Sequence, residues 1–271
     1  MSKEEKALEK QGTTAVALHD YGVDVGSGYE NQTSDDLTLP FLTVLQALSP
    51  QVMQDGLEGA KPGMLCNNAT DELFPGPEGI LFLPAYTQHR FVEWVPRKSG
   101  GGFVAFHEPS SEVVQRAKAG AKDFGKYSTA YDEQGKLIGN DLVETFYVYG
   151  VMYGEDPQPF VMTFSSTKIK AYKNWNTRLR SFTVPGPDSK KIRPPLFANL
   201  TRLHTKADHN NHGDFFNVVL SPAKGSLAAS LVSPDDPNYQ AAREYNNLAE
   251  NDRLNIDPDK DTSTNDKDTP F

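Results

Sequence analysis

The chain has 271 residues, a hydrophobic fraction of 37% and a formal net charge of −9. That length supplies ample core for one large domain or two small ones, and no apolar run approaches the roughly 18 residues of a membrane span. The single cysteine, Cys66, excludes an internal disulfide and a cysteine-based zinc site, and it suits a reducing cytoplasm.

Residues 1–36 are polar, Gly-rich and weakly periodic, and they read as a flexible N-terminal arm; their start, MSKEEKALEK, has no signal-peptide apolar stretch. In LPFLTVLQALSPQV (39–52), Phe41, Leu42, Leu45 and Leu48 share one helical face, so the spacing predicts a helix stopped by Pro50. GILFLPAYTQHRFVEWVPR (79–97) is aromatic and β-branched and reads as a strand bent near Pro84. SGGG (99–102) turns it into a returning strand, FVAFHE (103–108). Ser110 or Ser111 caps a short helix through EVVQRAKAGAK. DLVETFYVYGVMYG (141–154) and QPFVMTFSS (158–166) flank EDP as a second hairpin.

SSTKIKAYKNWNTRLRSF (165–182) places Ile169, Tyr172, Trp175 and Leu179 at helical spacing, with Lys168, Lys170, Lys173, Arg178 and Arg180 on its other face. A Pro/Gly loop follows with a second basic cluster, Lys190, Lys191 and Arg193. LFANLTRLHTK (196–206) and DFFNVVLSP (214–222) read as a third hairpin around ADHNNHG, and NYQAAREYNNLAE (238–250) as a helix. The expected organisation is a domain over 37–232, a C-terminal helix over 233–250 and a disordered acidic tail over 251–271. Hairpins without strand–helix alternation predict a mainly β, β-rich α+β fold. Its expected form is an OB-like, partly open antiparallel barrel with added helices.

The net charge hides its layout. Residues 165–206 hold ten Lys or Arg, including Arg202 and Lys206, against one acid, Asp188. Residues 231–271 hold ten acids against four cations, and residues 1–36 hold eight acids against three lysines. A basic middle between acidic ends points to a polyanion site with acidic arms.

Enzyme signatures are missing: there is no Walker loop, no Gly-rich dinucleotide turn after a strand and no G-x-S-x-G elbow. The expectation is a non-enzymatic protein without a cofactor. One alternative is a metal-dependent nuclease using His204, Asp208, His209 and His212, with Asp214 nearby. The competing reading of those residues is a polar hairpin turn, because Asn-Asn-His-Gly tolerates left-handed backbone.

Non-specific binding of single strands needs cations for phosphates and aromatic faces for bases. QHRFVEWVPRKSGGGF interleaves Arg90, Phe91, Trp94, Arg97, Lys98 and Phe103. Strand alternation puts Arg90, Val92 and Trp94 on one face, making Arg90 with Trp94 the stacking pair and Phe91 core. Trp175, in the middle of the basic helix, is a candidate platform or a core residue.

The terminus, NDKDTPF, is an acidic tether carrying an apolar plug. Its Asp266, Asp268, Pro270 and Phe271 resemble the tail tip of bacterial single-stranded DNA-binding proteins. The resemblance implies a tip that docks replication and repair partners in a basic pocket. Lys267 interrupts the acidic run, and Thr269 stands where an aliphatic residue is usual. LPFLTVLQALSPQV and RFVEWVPRKSGGGFVAFHE are similar to phage-encoded proteins of the same type, over roughly residues 37–222. The reading is a single-stranded DNA-binding protein of phage replication or recombination, acting in the host cytoplasm. It would associate as a homo-oligomer or filament on DNA and take replication and recombination proteins as partners. A recombination annealing protein is the other alternative.

Overall fold

The computed structural model describes residues 39–122, 125–211 and 213–251, with 27, 28 and 256. The chain divides into two compact units, Met1–Leu37 and Thr38–Phe271, and the described residues lie almost wholly in the second. The arm expected over 1–36 and the tail expected over 251–271 fall almost entirely outside them.

In chain order the strands begin with β1 (Leu42–Val44), β2 (Leu65–Asn67), β3 (Leu73–Phe74), β4 (Ile80–Trp94) and β5 (Phe103–His107). Helix α1 (Glu112–Ala119) precedes β6 (Lys126–Ser128), β7 (Asp141–Met152) and β8 (Pro159–Ser165). Helix α2 (Ile169–Ser181) is followed by β9 (Val184–Pro185), β10 (Lys191–Ile192), β11 (Thr201–Asn210), β12 (Gly213–Pro222) and helix α3 (Pro237–Glu250). Ser111 caps α1 through its hydroxyl, which accepts from the Val114 amide, and Asp236 caps α3.

Two long strands form the spine. β4 and β7 pair antiparallel from Phe82↔Met152 to Trp94↔Asp141. At one end β11 joins β4 through Thr201–Leu203, β12 extends β11, and β8 joins β7. At the other end β5 flanks β4 and β6 flanks β7. The two ends are offset by a bulge between Pro84 and Tyr86. Pro84 has no amide for the ladder, so the strand bends there as the sequence predicted. The freed carbonyl of Ala85 accepts a 3.0 Å hydrogen bond from the Asn246 side chain of α3.

The β4–β5 turn is built from Gly100, Gly101 and Gly102, all with φ between 71° and 112°. A side chain there would be strained, so the turn requires glycine.

Alternation along the spine divides the core into two layers. Phe82, Phe146 and Val148 point to one side, where Tyr172, Trp175 and Leu179 of α2 cover them. Leu83, Ala85, Tyr147, Tyr149 and Val151 point to the other, under Tyr239, Ala242 and Tyr245 of α3. Phe91 and Leu142 sit beneath Val114 and Ala117 of α1. Leu142 is four residues from Phe146, so α1 lies on the α2 side.

Among the described residues the fold is mainly β with antiparallel sheets and three helices, and the main sheet is open. The small sheet β1–β2–β3 lies beside it: the Val161 amide donates to Pro40. The Gln46 side-chain amide pairs with both backbone groups of Phe216 on β12 at 2.9 Å.

The helix expected over 39–52 is not formed. Residues 41–45 are buried without interruption, with Leu42 and Val44 in one layer and Phe41 in the other. A strand buried on both faces is a continuous apolar run, which sequence spacing cannot separate from a helix. The pairs β2–β3 and β9–β10 and the short β6 were not anticipated either. Among the described residues, no helix is long and apolar enough to cross a membrane.

Candidate nucleic-acid interface

The β4–β5 hairpin gathers a row of partly exposed rings. Trp94 pairs across the ladder with Phe103, their rings edge-on at 6.0 Å. Phe103 stands 4.9 Å from Phe106, which meets Tyr147 edge-on at 6.2 Å. Phe106 is 37% exposed and neighbouring Val104 43%. Phe106 had not been singled out, because the bulge at Glu93/Trp94 shifts the register so that it joins the side of Trp94. Arg90 lies on that side, ion-paired with Glu108, and Arg97 and Lys98 stand exposed at the hairpin tip. Phe91 is fully buried, as alternation predicted, but so is Val92 beside Arg90.

The basic residues of α2 lie elsewhere. Lys170, Lys173, Arg178 and Arg180 are exposed, while Lys168 is half-buried at the start of the helix. Lys190, Lys191 and Arg193 are exposed on the adjoining β9–β10 hairpin. Helix α2 covers the side of Phe146 and Val148; the aromatic row covers the side of Tyr147. The sheet therefore stands between α2 and the aromatic row, and the cations of that helix do not line one groove with the rings.

Trp175 corrects one expectation. It is 4% exposed, packed at 6.0 Å from Tyr172, and its indole N–H donates to the Thr201 hydroxyl at 3.4 Å. Its ring fills the core and offers no stacking face.

Arg202 is exposed but held by the carbonyls of Glu78 and Pro77 at 3.0 and 3.3 Å. Lys206 and Lys61 flank a separate cleft of about 460 Å³ walled by Met64, Pro75, Pro77 and Phe216.

Sequence reasoning missed a polar network on the spine. Glu144 receives His89 Nε2 at 3.3 Å and Lys173 Nζ at 3.4 Å. The His89 hydrogen bond lowers its pKa from 4.5 to about 2; burial opposes the shift and Lys173 assists it. Glu93 bonds His107 Nε2 at 2.6 Å and Asn140 Nδ2 at 2.7 Å. These acids are engaged, which limits their repulsion of a phosphate backbone.

The alternative metal set is dispersed. His204 and Asp208 share one face of β11, while His209 faces the other way and pairs with Asp214 across the hairpin at 2.7 Å. Asp208 accepts from Asn217 at 2.9 Å, and that bond lowers its pKa. Burial first, then Arg202, pushes the His204 imidazole down. Among the described residues no three His, Cys, Asp or Glu side chains stand close enough to share a metal ion. His212 lies outside the described residues, as do Asp266, Asp268, Pro270 and Phe271.

No curated protein and no solved structure matches the chain. A family model described as Pam3 phage gp34-like protein matches residues 5–254, nearly the whole length, and it spans both spine strands, the aromatic hairpin and helices α1, α2 and α3. The chain belongs to the Pam3 phage gp34-like family and is a phage protein.

Proposed function

We propose that this phage protein is a non-enzymatic, single-stranded DNA-binding protein that holds unpaired strands without sequence choice. The observation that carries the reading is the row Trp94–Phe103–Phe106, partly exposed beside Arg90 and Lys98. Rings at this spacing stack on bases of any identity, and only an unpaired strand offers base faces. The acidic tip Asp266–Phe271 serves to dock replication or recombination proteins.

The test is an oligo(dT) titration followed by tryptophan fluorescence at several salt concentrations. Binding should quench Trp94, and log K against log salt should slope at roughly −0.7 for each phosphate neutralised, about −1.4 for Arg97 and Lys98 at the hairpin tip. Absence of quenching, or binding that requires paired bases, would overturn the proposal.

A further inference from the structure

The two surfaces separated by the sheet differ in chemistry. The aromatic row has rings but few unpaired cations, since Arg90 is engaged by Glu108. The opposite surface has cations, and the rings of α2 itself, Tyr172 and Trp175, are buried, with Phe182 half-buried at the end of the helix. On α2 the exposed Lys170, Lys173, Arg178 and Arg180 spread around the solvent arc left by Tyr172, Trp175 and Leu179. The helix ends at Ser181, and β9 starts three residues later, so the β9–β10 hairpin follows α2 directly in the chain and exposes Lys190, Lys191 and Arg193.

Charges closer than about one Debye length, roughly 8 Å at physiological salt, act on a polyanion together. Few acids offset them. Asp188 is exposed on the hairpin, Glu144 is shared between His89 and Lys173, and Asp208 is bonded to Asn217. A helix that presents cations while its own rings are buried recognises phosphates, and phosphate contacts are indifferent to whether bases are paired.

We infer that α2 and the β9–β10 hairpin form a second DNA site. It grips the phosphate backbone of another DNA segment while the aromatic row holds an unpaired one. The two-segment arrangement rests on the proposed function; the backbone site itself does not. One molecule then bridges two DNA segments across the thickness of its sheet.

The experiment uses the full chain, donor-labelled oligo(dT), and acceptor-labelled DNA offered as either a duplex or a second oligo(dT). The double variant Lys191→Glu/Arg193→Glu changes two exposed side chains, one on β10 and one just after it, so the core is untouched. Wild type should bind the duplex and give energy transfer between the two labels. The double variant should lose at least tenfold in duplex affinity, with a salt slope shallower by about 2. Its oligo(dT) quenching of Trp94 should stay within twofold of wild type. A duplex arm that transfers more strongly than the oligo(dT) arm identifies paired DNA as the second segment, and equal arms identify the backbone of either form; both support the site.

If the double variant weakens oligo(dT) quenching by the same factor as duplex binding, one strand wraps both faces and the second site is overturned. Duplex binding unaffected by the double variant overturns it as well. Wild type that binds duplex through Lys191 and Arg193 but shows no oligo(dT) quenching keeps the backbone site and refutes the aromatic one.

Discussion

The two tryptophans stand in opposite environments despite similar basic neighbourhoods in the sequence. Trp175 is buried against Tyr172 and bonded to Thr201; Trp94 lies at the edge of a ring row that reaches solvent. Trp175→Ala should cost about 3–5 kcal/mol of stability through lost burial and an unfilled cavity, read by urea denaturation. Trp94→Ala should weaken oligo(dT) binding by about 1–3 kcal/mol, with a much smaller change in the urea midpoint. Reversal of that pattern would exchange the two assignments. Glu144 gives a second expectation. Its pKa falls from 4.5 to about 2 on folding, so its stabilisation is present above 4.5 and fades as pH drops toward 2. Thermal melts over that window should show wild type losing more stability than Glu144→Gln; parallel curves would remove His89 and Lys173 as its stabilising partners.

At the scale of elements, the hairpins β4–β5, β7–β8 and β11–β12 were legible, because alternating aromatic and β-branched runs were bounded by Gly, Pro and Asp. The first strand was not, because Phe41–Leu45 is buried on both sides and shows no period of two. Nor could the sequence tell that α2 and the β4–β5 rings lie on opposite sides. Alternation ranks residues within one strand, while the side a helix covers depends on the whole topology. Trp94 and Phe103 stood out in the interleaving of basic and aromatic residues; Phe106 did not, because a bulge broke the parity. The larger bulge at Pro84–Tyr86 carries a prediction of its own. Asn246→Ala leaves the carbonyl of fully buried Ala85 without its donor, which should cost about 1–3 kcal/mol in chemical denaturation. A neutral result would mean that water or another donor reaches that carbonyl.

For the whole molecule, the charge layout sets the next expectation. The ten cations of residues 165–206 share a chain with an acidic C-terminal stretch. A tethered polyanion competes with DNA at an effective concentration set by its linker, and salt screens that competition. Removing Asp266–Phe271 should therefore leave oligo(dT) affinity equal or slightly higher, with the difference shrinking as salt rises. Deleting Phe271 alone should abolish recovery of partner proteins from infected-cell extract while sparing oligo(dT) binding. Undiminished recovery would reduce the tip to an ordinary chain end.

The spine also dictates an order of assembly. β4 and β7 can pair as soon as both have been synthesised, but β11 reaches β4 only through Thr201–Leu203, roughly 120 residues after Ile80–Phe82. At about 5–20 residues per second that edge waits on the order of ten seconds on the ribosome. An unpaired edge is a template for another chain. Pro84 stands just beyond it with no amide to offer, so a strand from a neighbouring nascent chain would lose a ladder bond at that point. The residue that bends the finished sheet thus also makes its waiting edge a poorer template while the chain is being made.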